Sequence, residues 1–238
     1  MGSVYALTLR QLSGKWRLII MTVLAAMPVI ITAISLSSQH APSVWEFEEA
    51  VLGAMLAGAI APLVVLAIGA VAFSNEIEDR TLANLTLAPI PRWQIALPKL
   101  LAAITIAAPF MVASAFATSY IAFLGDVRAV VAVTVGLLVA VALYASAFVY
   151  LGLVTTQAIG VGLIYIVLWE GFFSQFVAGV RLLSIRHYAI SVMYGLDPRR
   201  FAPLDDQLSL WVAIALCVAV FGGFLLLSVR RLRRMDVP

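Results

Sequence analysis

An all-α membrane protein with six transmembrane helices is the fold this sequence predicts, and three observations carry it. Of its 238 residues 63% are hydrophobic and only 11% charged, with a mean hydropathy of +1.07, so the outside of the folded chain is as apolar as its inside. Six apolar stretches reach the roughly 20 residues that a helix needs to cross a bilayer; they are 18–36, 51–74, 100–124, 130–154, 158–177 and 208–229. Period-two alternation broken by turns, the mark of a membrane barrel, is absent, and backbone groups in lipid must then pair within their own segment.

The chain opens on residues 1–17, read as an interfacial helix in which Val4, Leu7 and Leu12 share one side, Thr8, Gln11 and Lys15 lie on others, and Trp16 marks the interface. The first span, 18–36, exceeds a signal-peptide core and has no small-residue cleavage site after it, so it reads as a permanent helix. The loop that follows carries His40, Glu46, Glu48 and Glu49. One histidine and three carboxylates at that spacing form an acidic rim, and no metal site is expected. In the second span Gly53, Ala57 and Ala61 recur at four-residue steps, which lets helices approach closely.

The polar stretch 75–99 stands between the second and third spans. Its acidic opening, Glu76, Glu78 and Asp79 with Arg80, extends the second helix into water; Thr81 can cap a short helix bearing Leu82 and Leu85, which Pro89 and Pro91 end. The dipole of that short helix favours the negative charges ahead of it. Arg92 and Trp93 mark the return to the interface, and Lys99 opens the third span. A plain connector needs about 2–8 residues. The excess predicts a docking surface.

Orientation follows from the basic residues near the helix ends. With both termini cytoplasmic, ten lie inside (Arg10, Lys15, Arg17, Arg80, Arg92, Lys99, Arg230, Arg231, Arg233, Arg234) and five outside (Arg128, Arg181, Arg186, Arg199, Arg200). The closing arginine cluster reads as a stop-transfer signal at the end of the last span. Cys217 sits within that span, excludes an intramolecular disulfide and reads as a small buried filler.

Glu170 is the carboxylate well inside a predicted span. Starting from Ala158, twelve residues at about 1.5 Å each place it roughly 18 Å in, past the middle of a core about 30 Å thick. An ionised carboxylate there must face protein or a water-filled cavity. Two readings stand: a polar point on a translocation route, or a tether for the outer segment, with Arg181 or Arg186 as partner. In that outer segment, 178–207, Ser184 can cap an amphipathic helix presenting Ile185, Tyr188 and Val192 on one face and closed by Gly195 and Pro198.

The order of an acidic helix end, Thr81-Leu82, a leucine-bearing helix, Pro89, Pro91, Arg92 and Lys99 resembles the permease subunits of type-2 ABC exporters. The stretches LTLRQLSGKWRL (7–18) and LWEGFFSQFVAGVRLLSIRHYAISV (168–192) match the same pattern, and with the six-span layout the resemblance covers almost the whole chain. The family commonly has a glycine before the threonine, where this chain has Arg80. The resemblance implies a single transmembrane domain that pairs with a second permease subunit, the same chain or a related one, in a cytoplasmic (inner) bacterial membrane. It also implies that 75–99 contains a coupling helix gripped by separate cytoplasmic ATPase subunits, with Glu76, Glu78, Asp79, Arg80, Thr81, Leu82, Leu85 and Pro89 as the docking residues. The second and fifth helices of the family lie near the dimer seam, which makes Tyr165, Trp169, Glu170 and Phe173 candidate lining residues. Short outer helices that dip toward the membrane are implied for 178–207.

No GxxxxGK[ST] phosphate loop occurs, and the soluble part of the chain is too short for a nucleotide-binding domain. ATP and Mg are therefore expected on a partner ATPase, and this chain is expected to bind no cofactor and no nucleic acid. The alternative, a stand-alone secondary transporter or channel, predicts internal repeats or broken helices with mid-membrane charges; only Glu170 fits. An intramembrane enzyme needs a paired catalytic set. His40 and His187 fall in outer segments, no GxSxG occurs, and no catalytic residues are assigned.

Overall fold

The computed structural model describes residues 2–37, 44–78, 91–173, 183–201 and 208–234, and among them every regular element is helical. Among the described residues five helices are long and apolar enough to cross a membrane: Lys15–Ser37, Glu48–Ser74, Trp93–Ala122, Val127–Val154 and Leu210–Arg234. The predicted fifth span is represented by the shorter apolar helix Ala158–Phe173, and its predicted end at 174–177 lies outside the described residues.

α1 (Gly2–Leu12) packs on α6 (Trp93–Ala122), and the Tyr5 hydroxyl donates to Thr105 Oγ1 at 3.0 Å. Its buried face differs from the expected one: Thr8 and Leu12 are inside while Leu7 is 51% exposed. A small threonine admits the neighbouring helix more closely than leucine does, and the Thr8 hydroxyl is satisfied by the Val4 carbonyl at 2.8 Å. α2 (Lys15–Ser37) carries two opposite stripes. Met21, Ala25, Pro28 and Thr32 face the bundle, while Ile20, Val23, Met27, Ile30 and Ile34 face outward.

The second span follows α3 (Val44–Phe47) and begins as a π-wound stretch, Glu48–Ile60, continuing through α4 (Ala61–Gly69) into α5 (Val71–Glu78). It is the most enclosed of the spans, with 72% of its apolar window buried against 22% for the first and 17% for the last. α5 runs to Glu78, into the acidic stretch expected to extend the second helix, and α6 begins at Trp93, ahead of the predicted span start at 100.

Leu124 and Gly125 both take positive φ (51° and 81°) and turn the chain into α7 (Val127–Val154), whose N-cap Asp126 accepts the Arg128 N–H at 3.1 Å. α7 is the hub of the bundle, touching α4, α6, α9 (Ile185–Leu196) and α10 (Leu210–Arg234). Two glycines make this possible. A Cβ on Gly152 would lie 2.3 Å from the Ala70 carbonyl oxygen, and one on Gly136 would lie 2.9 Å from the Met193 Cβ, so α7 meets α9 and the second span backbone to backbone. After Thr155, whose hydroxyl accepts the Gln157 N–H at 3.1 Å, α8 (Ala158–Ile164) passes into a second π-wound stretch, Tyr165–Phe173. Cys217 is buried on α10, as a filler would be.

Candidate functional site

Two polar constructions lie at different levels of this apolar bundle. The first closes the stem of the hairpin. Ala72, Phe73 and Glu76 fall within four residues of one another on α5 and so share a face. Lys99, early in α6, reaches that face: its Nζ lies 2.6 Å from Glu76 Oε1, donates to the Ala72 carbonyl at 2.5 Å and stands 4.4 Å from the centre of the Phe73 ring. The two charged side chains are 0% and 6% exposed. Glu76 thus departs from the expectation of a water-facing docking residue, because a lysine that the apolar start of α6 carries inward needs a carboxylate partner there. Asp79, Arg80, Thr81, Leu82, Leu85 and Pro89, and the side chain of Glu78, lie outside the described residues.

The second construction is built around Glu170, which is fully buried. Tyr165 precedes it by five residues, the step that a π-wound turn brings onto one side, and its hydroxyl donates to Glu170 Oε1 at 2.9 Å. Two further donors come from the head of α9. The Ile185 N–H bonds Oε1 at 3.1 Å, and the Ser184 hydroxyl bonds Oε2. Ser184 is also the N-cap expected of it, accepting the His187 N–H at 3.3 Å. A carboxylate held at a helix N-terminus by such donors is compensated both by hydrogen bonds and by the helix dipole. The geometry is that of a tether for α9. Of the four residues expected along a route, Tyr165 and Glu170 meet, whereas Trp169 and Phe173 pair with each other, ring centres 6.4 Å apart, with Phe173 42% exposed.

Arg186 supplies a further attachment, along the second span. A Cβ on Gly58 would lie 3.0 Å from its Cδ and 3.3 Å from its Nε, and one on Gly53 would lie 3.2 Å from Nη2. The two glycines, five residues apart in a π-wound stretch, form a shallow bed for the arginine stem. Tyr144 of α7, stacked on Phe148 with ring centres 5.9 Å apart, stands between the two attachments and points its hydroxyl toward the Ala57 carbonyl at 3.5 Å. The expected apolar face of α9 is inside: Ile185, Tyr188 and Val192 are all buried. Burial, with Glu48 and Glu49 adding to it, pushes the Tyr194 hydroxyl up to about 12, so it stays neutral at physiological pH.

Two pairings and two residues were not legible in the sequence. Glu76 was not paired with Lys99, and Ser184 was not assigned to Glu170, because the partners lie 23 and 14 residues apart and no helical period connects them. Gly58 stands five residues from Gly53, off the four-residue step that α winding brings onto one face. Tyr144 gave no signal among the alanines and valines of α7.

A search of curated proteins finds no match to the chain. A family model described as ABC-2 family transporter protein matches residues 9–189, more than half of the sequence and the part that carries both the Glu76–Lys99 pair and the Glu170 cluster. The chain therefore belongs to the ABC-2 transporter permease family and is a multi-pass membrane transport subunit.

Proposed function

We propose that this chain is the permease half of an ATP-driven ABC exporter in a bacterial cytoplasmic membrane, working as a pair of permease subunits driven by separate cytoplasmic ATPase subunits. In this reading 158–177 completes a sixth span, both termini are cytoplasmic, and the hairpin between α5 and α6 docks on the ATPase through Leu82, Leu85 and the polar residues around them. ATP and Mg belong to the ATPase, and this chain binds neither.

The observation that carries the reading is the buried Glu76–Lys99 pair at the base of the hairpin. A docking loop transmits force only if its two stems move together. An ion pair held in a low-dielectric setting, with a carbonyl and a ring completing the shell of Lys99, joins the stems where a flexible connector would need nothing. Force on the hairpin then tilts the second and third spans as one body. At the other attachment, Glu170 and the glycine bed tie α9 to the fifth and second spans, so motion of the second span reaches the outer segment through Arg186. Glu170 lies deep in its span and touches the head of α9, which supports α9 as a helix re-entering the bundle from outside. The exposed Val167, Leu168, Phe172 and Phe173 supply an apolar surface that fits a second permease subunit.

Co-purification with a co-expressed partner ATPase tests the reading. L82D/L85D is expected to abolish the pairing and the stimulation of ATP hydrolysis while the chain still inserts; retained pairing and stimulation overturn it. Transport in liposomes without any ATPase overturns it in favour of a stand-alone carrier.

A further inference from the structure

At the end of the bundle where α7 begins and α9 ends, a cavity of about 340 Å³ is lined by Val127, Val131 and Leu196 and by three charged residues, Arg128, Arg199 and Asp197. Asp197 is 5% exposed, and among the described residues its carboxylate has no hydrogen bond or ion pair. Its oxygens still reach the cavity they line, where a cation would replace the water that the rest of the group has lost. The two arginines do not serve: neither guanidinium has a hydrogen bond or ion pair among the described residues, and both are exposed. The apolar wall is not sealed. Val127 is 72%, Val131 52% and Leu196 44% exposed, and Leu124, on the adjoining turn, is 95% exposed. The site therefore offers two positive groups, one buried negative group and a greasy ramp leading out to where the acyl chains of a bilayer lie.

We infer that this cavity binds the headgroup of an aminophospholipid, with the phosphate between Arg128 and Arg199, the primary ammonium on Asp197 and the acyl chains along Val127, Val131 and Leu196. Arginine recognises phosphate through its planar donor fork, and an ammonium supplies hydrogen bonds as well as charge to the buried carboxylate. A glycerol headgroup leaves Asp197 without a cation. A choline headgroup brings charge but no donor. The site also accounts for arginines at an end of the bundle where basic residues are sparse, since lipid phosphate neutralises them. Assignment to the outer leaflet rests on the cytoplasmic termini proposed above, whereas headgroup recognition does not. Asp197 and Arg199 lie beyond the stretch 9–189 that matches the family model.

Delipidated full-length protein in detergent is titrated with short-chain phosphatidylethanolamine, phosphatidylglycerol and phosphatidylcholine, with binding followed by native mass spectrometry. Inorganic phosphate and glycerophosphoethanolamine serve as soluble competitors. Phosphatidylethanolamine is expected to bind about tenfold tighter than either other lipid. R128Q/R199Q is expected to lose about tenfold for every phospholipid, and D197N to remove the preference for ethanolamine over glycerol. Equal binding of the three lipids by the native chain, or undiminished binding by R128Q/R199Q, overturns the inference. Competition by inorganic phosphate at the concentration at which the lipid binds also overturns it, because the site would then be one for a small anion. Transport and ATPase pairing do not enter the readout, so this result and the test of the exporter reading fail independently.

Discussion

Replacing Glu76 by Gln leaves Lys99 fully buried and facing a neutral amide. At 2.6 Å and an effective dielectric of about 20, the attraction between the two charges is about 6 kcal/mol before desolvation is counted. What remains around Nζ is the Ala72 carbonyl and the face of Phe73, and a desolvated cation–ring contact supplies only about 2 kcal/mol. Removing one member of a buried pair typically costs about 3–5 kcal/mol, and the same is expected of K99M, which strands Glu76 instead. The double variant E76L/K99M has no charge left to strand and fits two apolar side chains into an apolar wall, so it is expected to regain stability to within about 1 kcal/mol of the native chain. With E76L as the matching single variant, expected to strand Lys99 as E76Q does, unfolding equilibria in bicelles for the native chain, E76L, K99M and E76L/K99M give a coupling of at least about 5 kcal/mol. The double variant separates stability from function: it folds, but its stems are joined only by apolar contact, and stimulation of the partner ATPase is expected to fall. Single variants within 1 kcal/mol of the native chain, or a double variant as unstable as the sum of the singles, refute the reasoning.

Gly152→Ala places a methyl 2.3 Å from the Ala70 carbonyl oxygen, which neither backbone can accommodate without shifting; a loss of about 1–3 kcal/mol is expected in thermal melts. Gly222→Ala, with nothing within 4 Å of the new methyl, is the control and is expected to be neutral or slightly stabilising, since alanine favours helix. Glu170→Ala strips the acceptor from Tyr165, Ser184 and the Ile185 N–H, at about 1.5–3 kcal/mol for each charge-assisted bond lost; hydrogen exchange across α9 is expected to rise sharply. Glu170→Gln retains one acceptor and is expected to fall between. Transport lost in E170Q with exchange across α9 unchanged would show that the carboxylate acts on cargo instead of holding the helix.

The spans were legible in the sequence because length and apolarity alone set them. Which of them stand at the centre was not. The windows of the first and second spans have mean hydropathies of 2.4 and 2.5, yet 22% of one and 72% of the other is buried. Lipid tails are as apolar as a protein interior, so composition cannot separate a face that meets leucine from one that meets an acyl chain. Close approach is the more informative signal, and it depends on the winding. A step of four selected Gly53, Ala57 and Ala61, all of which are buried, but π winding sets Gly53 and Gly58 together as the bed for Arg186. The polar residues misled in the opposite direction. Reading Glu76 as part of a helix end that extends into water and Lys99 as the opening of the third span takes charge to face water, whereas two opposite charges 23 residues apart can enter the bundle together. Ser184, by contrast, was identifiable as a cap from its local sequence, and Glu170 as a group that must avoid lipid. Each unpaired polar residue in such a chain thus states a requirement that its own neighbours cannot meet, and the fold answers it by bringing a second helix to the same depth.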